Sequence, residues 1–184
     1  MIVIISGTNR PGSNTRKVTA HVEGIYKKLG VEFQVLDLAK MPAEIFSPTS
    51  YAEKPAAFKK DFTDAILASD GLVILTPEYN GSVPGILKYC IDMLPFPESF
   101  EQRPVCFVGL ANGMWGALRP VEQLQAIFGY RNAFIYPERV FMPGIGRLLD
   151  GNSTFTNPDI PKRLEAQATG FVDFVEKLRG NKLR

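Results

Sequence analysis

Short runs of β-branched residues alternate along this chain with longer stretches whose apolar positions recur every three or four residues. Met1–Ser6 (MIVIIS) is almost wholly apolar, as a strand covered on both faces must be. Residues Asn14–Leu29 set Val18, Val22, Ile25 and Leu29 at helical spacing, and Gly30 supplies the stop. Val31–Leu36 returns to strand character. Ala39–Pro55 holds three prolines and no clear period, which predicts a long loop. Ala56–Ala68 turns Phe58, Phe62, Ala65 and Ile66 to one helical face, and Gly71–Leu75 (GLVIL) reads as a third strand.

The second half repeats the rhythm. Pro84–Leu94 is a helix that tolerates Pro84 in its first turn and is stopped by Pro95. Pro104–Leu110 is a strand, Gly116–Phe128 a helix ending at Gly129, and Ala133–Tyr136 a fifth strand that can run on to Phe141. Gly144–Thr156 reads as an irregular loop, and Asp159–Leu178 as a last amphipathic helix through Leu164, Phe171, Val175 and Leu178. Strands alternating with helices imply right-handed crossovers and a parallel sheet covered on both faces. Five strands in this order predict an α/β three-layer sandwich with the flavodoxin-like strand order 2-1-3-4-5. We expect one domain over residues 1–184, without internal repeats.

Composition narrows the possibilities. Hydrophobic residues make up 45% and charged residues 22%, the balance of a soluble globule, and a net charge of +2 is too small to argue for nucleic acid or an anionic membrane. No apolar stretch approaches the ~18 residues of a membrane span. The N-terminus runs straight into a strand pattern with no basic region before it, so a secretory signal is not expected. Cys90 and Cys106 lie inside apolar runs and read as buried thiols, with neither a disulfide framework nor a zinc site. These features fit a cytoplasmic protein with no bound metal.

In an open parallel sheet, ligands bind outside the carboxyl ends of the strands where the strand order reverses. Three loops lie there. The first, Ser6–Thr15, packs Thr8, Arg10, Ser13, Asn14 and Thr15 between a strand and a helix N-terminus. A phosphate wants free amides, short hydroxyls, a positive dipole end and one fixed cation. Helix capping explains one hydroxyl, but not several together with Arg10. The spacing is neither that of a Walker A loop nor G-x-G-x-x-G. The second, Thr76–Gly85, offers Pro77, Glu78, Tyr79, Asn80 and Ser82, a stiff edge with an aromatic wall suited to a flat heteroaromatic ring. A tight turn alone also accounts for its glycines and prolines. The third, Ala111–Ala117, holds Gly113 and the sole tryptophan, Trp115. Trp115 could wall the ring, pack on a second subunit or cover the core edge. Gly144-x-Gly146 lacks the third glycine of a dinucleotide fingerprint, and the only histidine, His21, beside an apolar stripe, reads as structural.

Pro77-Glu78-Tyr79-Asn80-Gly81-Ser82-Val83-Pro84-Gly85-Ile86-Leu87-Lys88 resembles the P-E-Y-N-x-S-x-P-x-x-L-K segment of the NADPH-dependent FMN reductases, a family of flavin, quinone, azo-dye and chromate reductases. Gly7–Ser13 is similar to the family's G-S-x-R-x-x-S loop, with Thr8 replacing the usual serine; Gly113–Ala117 resembles its glycine-rich third loop loosely, departing from it at Met114 and Trp115. The resemblance implies that Thr8, Arg10, Ser13 and Thr15 hold the FMN phosphate. It also implies that Pro77, Glu78, Tyr79, Asn80 and Ser82 line the ring and ribityl chain, and that Gly113 and its neighbours touch the pyrimidine end. A hydride would pass from NADPH or NADH through FMN to a small acceptor, with no catalytic side chain required, because the chemistry belongs to the cofactor. The family also implies a homodimer or homotetramer, for which Phe96, Phe100, Trp115 and Phe134–Phe141 could supply the surface. Arg10, Lys88 and Arg119 are candidates for an NADPH 2′-phosphate. The rival readings are a flavodoxin-type electron carrier, which a sequence pI near 8.5 disfavours, and a sensor that has lost its flavin.

Overall fold

The computed structural model describes residues 1–180. Its five strands are β1 (Ile2–Ser6), β2 (Phe33–Asp37), β3 (Gly71–Pro77), β4 (Pro104–Ala111) and β5 (Phe134–Pro143), all parallel in the order β2-β1-β3-β4-β5. This is the predicted sheet. The central strands β1, β3 and β4 are buried almost end to end, which is why they read as unbroken apolar runs rather than alternating ones.

Alternate residues of each strand feed two separate cores. Val3, Ile5, Leu72 and Ile74 pack beneath α2 (Ala56–Phe58), α3 (Asp64–Ala68), α4 (Gly85–Met93) and α5 (Leu118–Tyr130). Ile2, Ile4, Val73 and Leu75 pack beneath α1 (Asn14–Lys28), α6 (Ile145–Leu148) and α7 (Asp159–Gly180). Each fully buried Ile, Leu or Phe contributes about 1.5–3 kcal/mol, so the period-2 division of the strands is what commits helices to both faces. Helix α1 starts at Ser13, whose hydroxyl accepts the Arg16 N–H, and it stops as expected before Gly30, at φ +68°.

Two stretches read as loops are more ordered than their sequence suggests. Residues 39–55 fold into 3₁₀ turns, Leu38–Lys40, Ala43–Phe46 and Pro48–Tyr51. Asp37 and Ser47 cap two of them, and Ile45 and Ser50 are buried. Turns this short carry no helical period to detect. After β5, residues 144–156 hold the one-turn helix α6 and then an antiparallel bridge between Leu149 and Phe155. Conversely, the predicted helix 56–68 contains a π segment, Lys59–Thr63, between α2 and α3.

The β4–β5 ladder is interrupted. Its register jumps between Val105 and Phe107, where Tyr136-Pro137-Glu138 stand opposite Cys106 alone. Pro137 has no N–H to give a neighbouring strand. The buried Gln167 of α7 repairs the gap: its Nε2 donates to the carbonyl oxygens of Phe107 at 3.0 Å and Glu138 at 2.9 Å. Cys90 and Cys106 are free and buried. Burial pushes the Cys90 thiol up to about 12 and the Cys106 thiol up as well, so neither is a nucleophile near neutral pH. No helix among the described residues is long and apolar enough to cross a membrane.

Candidate functional site

The carboxyl ends of β1, β3 and β4 open into a cavity of about 480 Å³, within the roughly 300–1,000 Å³ usual for cofactor and small-molecule sites. Arg10–Thr15 form one end, Pro77–Gly81 one wall and Leu110–Gly113 the facing wall. Of the residues singled out from sequence, it therefore gathers Arg10, Ser13, Asn14, Thr15, Pro77, Glu78, Tyr79, Asn80 and Gly113. Thr8, Ser82 and Trp115 are not part of its lining.

The first end is built for an anion. The first four N–H groups of a helix lack intrahelical acceptors. Here Ser13 satisfies those of Arg16, through its hydroxyl, and Lys17, through its carbonyl. Among the described residues the amides of Asn14 and Thr15, both of which line the cavity, have no acceptor. No acidic residue sits in the first turn of α1, and Arg10 forms no ion pair among the described residues. The positive end of α1, two open amides and one uncommitted guanidinium thus converge. Gly7 is forced by close approach, because a Cβ there would collide with the Leu75 carbonyl oxygen.

The second wall is a two-residue hairpin. Tyr79 and Ser82 exchange backbone hydrogen bonds at 3.1 and 3.0 Å, and Asn80 and Gly81 both have positive φ, 51° and 75°. This is the turn that Asn-Gly favours. Side chains brace it on two sides. Tyr79 Oη and Thr8 Oγ1 lie 2.7 Å apart, and Thr8 Oγ1 also accepts the Arg10 N–H. From α5, Arg119 pairs with Glu78 at 3.1 Å, while Gln123 Oε1 accepts from the Ser82 hydroxyl and the Val83 N–H. Lys88 is spent on Asp92. Of the three cations considered for a 2′-phosphate, only Arg10 has no carboxylate partner among the described residues.

The third wall takes Ala111 and Asn112 from the third loop, as expected, and adds residues the sequence reading passed over: Leu110 and, from beyond β5, Ile145. Asn112 Oδ1 accepts the Gly146 N–H at 3.0 Å, and a Cβ on Gly146 would fall 2.9 Å from that oxygen. The Gly144-Ile145-Gly146 pattern, dismissed as a dinucleotide fingerprint, is what lets α6 close over the cavity. The available signal was a pair of glycines straddling an apolar residue just after a strand. At the loop tip, Met114 is 77% exposed and Trp115 51% exposed, so both present apolar surface outward. Phe100 is buried, whereas Phe96 is exposed under the Arg131 guanidinium. His21 joins α1 to the 149–156 turn, its Nε2 lying 2.7 Å from the Ser153 carbonyl oxygen.

Comparison with known proteins is consistent in direction. The pattern of the NADPH-dependent FMN reductase family matches residues 1–146. The chain is similar to an NADPH azoreductase of Bacillus sp. (strain OY1-2), 28% identical over 181 residues, covering 96% of this chain and 97% of that protein. It is also 28% identical over 128 residues to an FMN-dependent NADPH-azoreductase of Staphylococcus haemolyticus (strain JCSC1435), covering 68% and 67%. Among solved structures, FerB, a flavoenzyme NAD(P)H:(acceptor) oxidoreductase from Paracoccus denitrificans, shares the fold with a TM-score of 0.79 at 23% identity, over 96% of this chain and 97% of that one.

Proposed function

The chain belongs to the NADPH-dependent FMN reductase family, and from that premise we propose how its cavity serves FMN-dependent NAD(P)H oxidation and which acceptor it reduces. The activity that membership gives is hydride transfer from NADPH or NADH, through FMN, to a small acceptor. The residues fit such a cofactor. Arg10 and the amides of Asn14 and Thr15 hold the phosphate, with Ser13 keeping the helix end open for it. Pro77, Glu78, Tyr79, Asn80 and Gly113 flank the ring. Thr8 and Ser82 act one step back, fixing Tyr79 and the hairpin rather than facing the ligand.

When bound, FMN supplies the hydride and electron chemistry. The protein's part is placement: two rigid, facing backbone edges hold a flat ring, and an anion site at one end sets how far it slides in. No side chain in the cavity needs to move a proton for this. The acceptor follows from the tip of the third wall. Met114 and Trp115 stand exposed beside the mouth, a surface that suits a planar aromatic acceptor better than a hydrated oxyanion. An aromatic azo compound or quinone is the reading we favour, and two relatives named azoreductases support it.

We further propose that the whole chain is one domain working in the cytoplasm as a homodimer or homotetramer. Helix α7 lies outside the family-matched stretch yet packs on β4 and β5 through Gln167, which supports the single domain. Exposed Phe46, Tyr51, Phe96 and Trp115 support self-association. The observation that carries the functional reading is the anion end, where Arg10 and two open amides meet facing walls. The test is a visible spectrum of the purified protein with added FMN, before and after anaerobic NADPH. A bound-flavin spectrum that bleaches with NADPH is expected. Flavin that binds and never bleaches with either nicotinamide would make the protein an electron carrier. No binding would overturn the reading.

A further inference from the structure

Arg119 and Gln123 stand four residues apart on α5, on one face of the helix, and both reach the hairpin that walls the cavity. Arg119 Nη1 lies 3.1 Å from Glu78 Oε1, and the Glu78 side chain is only 15% exposed. Gln123 Oε1 takes two hydrogen bonds, from Ser82 Oγ at 2.8 Å and from the Val83 N–H at 3.1 Å. Glu78 lines the cavity, whereas Arg119 and Gln123 do not. A carboxylate borne by a lining residue and only 15% exposed is poorly screened from whatever the cavity holds.

We infer that this face of α5 is a positioning device for the flavin: Gln123 fixes the hairpin against the helix, and Arg119 cancels the Glu78 charge that would otherwise oppose reduction of the bound ring. The inference rests on the FMN reading above. Adding electrons to a ring makes it more negative, so a bare carboxylate beside it disfavours the reduced form. A guanidinium paired to that carboxylate removes the penalty without touching the ring. Gln123 brings no charge. Its carbonyl oxygen, shared between a hydroxyl and an amide at the end of the hairpin, sets the spacing between wall and helix.

The test compares wild type with R119A, R119K, E78Q/R119A, Q123L and Q123E. Three quantities are read: FMN and riboflavin dissociation constants by fluorescence quenching, the reduction potential of bound FMN, and the melting temperature without flavin. R119A is expected to lower the potential, so that preference for oxidised over reduced FMN rises about fivefold, the order of one partly screened charge. R119K should recover part of this and E78Q/R119A all of it. Q123L should weaken FMN and riboflavin alike, by about fivefold, since the hairpin faces the ring and not the phosphate. Q123E, which keeps the acceptor oxygen, should restore both.

An unchanged potential in R119A, or a drop that E78Q does not reverse, overturns the charge-cancelling role. A defect confined to the KM for NADPH, with NADH unaffected, overturns it too and makes Arg119 a 2′-phosphate ligand. Riboflavin binding that is unchanged in Q123L, or lost only as far as its melting temperature falls, overturns the role of Gln123. Wild type that takes up no FMN defeats the preceding reading itself, a result separate from wild type that binds and variants that match it.

Discussion

The hairpin after β3 and the loop after β4 face each other across one cavity and are held by opposite means. The hairpin is fixed by side chains: Tyr79 to Thr8, Glu78 to Arg119, Ser82 and Val83 to Gln123. The loop, apart from the Asn112 Oδ1 that accepts the Gly146 N–H, is fixed by close approach of backbone where side chains are missing. A Cβ on Gly109 would sit 2.8 Å from the Gly116 carbonyl oxygen, and one on Gly116 would sit 2.8 Å from the Pro143 nitrogen. Gly116 and Ala117 both adopt positive φ, 56° and 72°. Beyond that tight base, Met114 is largely exposed and Trp115 half exposed. One wall is braced over its whole length; the other is rigid at its root and open to substitution at its tip. Cofactor contacts need the first kind of support, and acceptor choice can be tuned on the second.

The contrast is broken most severely at the root of the loop. Gly116→Ala places a Cβ against strand backbone at a φ that suits glycine, and should cost about 2–4 kcal/mol in denaturant unfolding. Gly113→Ala, with ordinary φ and nothing within 4 Å, should stay within about 0.5 kcal/mol. Next comes Arg10→Ala, expected to weaken FMN by about 1.5–3 kcal/mol, the scale of a hydrogen bond to a charged group. Titration with riboflavin, which lacks the phosphate, should show no such loss. Thr8→Val removes the link between hairpin and phosphate loop, and about 1–2 kcal/mol of stability should go with it, read from the shift of the unfolding midpoint. Trp115→Ala should leave stability unchanged within about 0.5 kcal/mol and FMN affinity intact. Only kcat/KM for an azo dye should fall, measured against ferricyanide as an acceptor that needs no aromatic contact.

The same contrast explains what could be read from sequence. Side-chain bracing leaves a word in the chain: Pro77 to Lys88 announces a stiff edge of the cavity, and Asn80-Gly81 announces its turn. The order of the sheet was legible because β1, β3 and β4 are buried on both faces and so carry uninterrupted apolar runs. Bracing by close approach leaves only glycines, which read as generic loop. Hence Ile145 went unseen as a wall residue, and Gly146 was set aside. The partners of Arg119 and Gln123 were hidden for a different reason: each lies about 40 residues from its contact, and nothing local in α5 distinguishes them from solvent-facing polar residues. Thr8 illustrates the limit in the other direction. Its residue type suited a phosphate ligand, while its neighbours in space engage it with Tyr79.

Gln167 has a consequence for how this protein can be divided. The family pattern matches residues 1–146, and a cut there spares every strand and every wall of the cavity. It would also remove the amide that serves the Phe107 and Glu138 carbonyls, uncover the apolar face of the sheet under Phe171 and Val175, and leave β4, the strand that carries the third wall, bare on one side. The stretch that the family pattern matches is therefore shorter than the unit that packs, and the rest is supplied by α7, a helix that is not among the lining elements of the cavity.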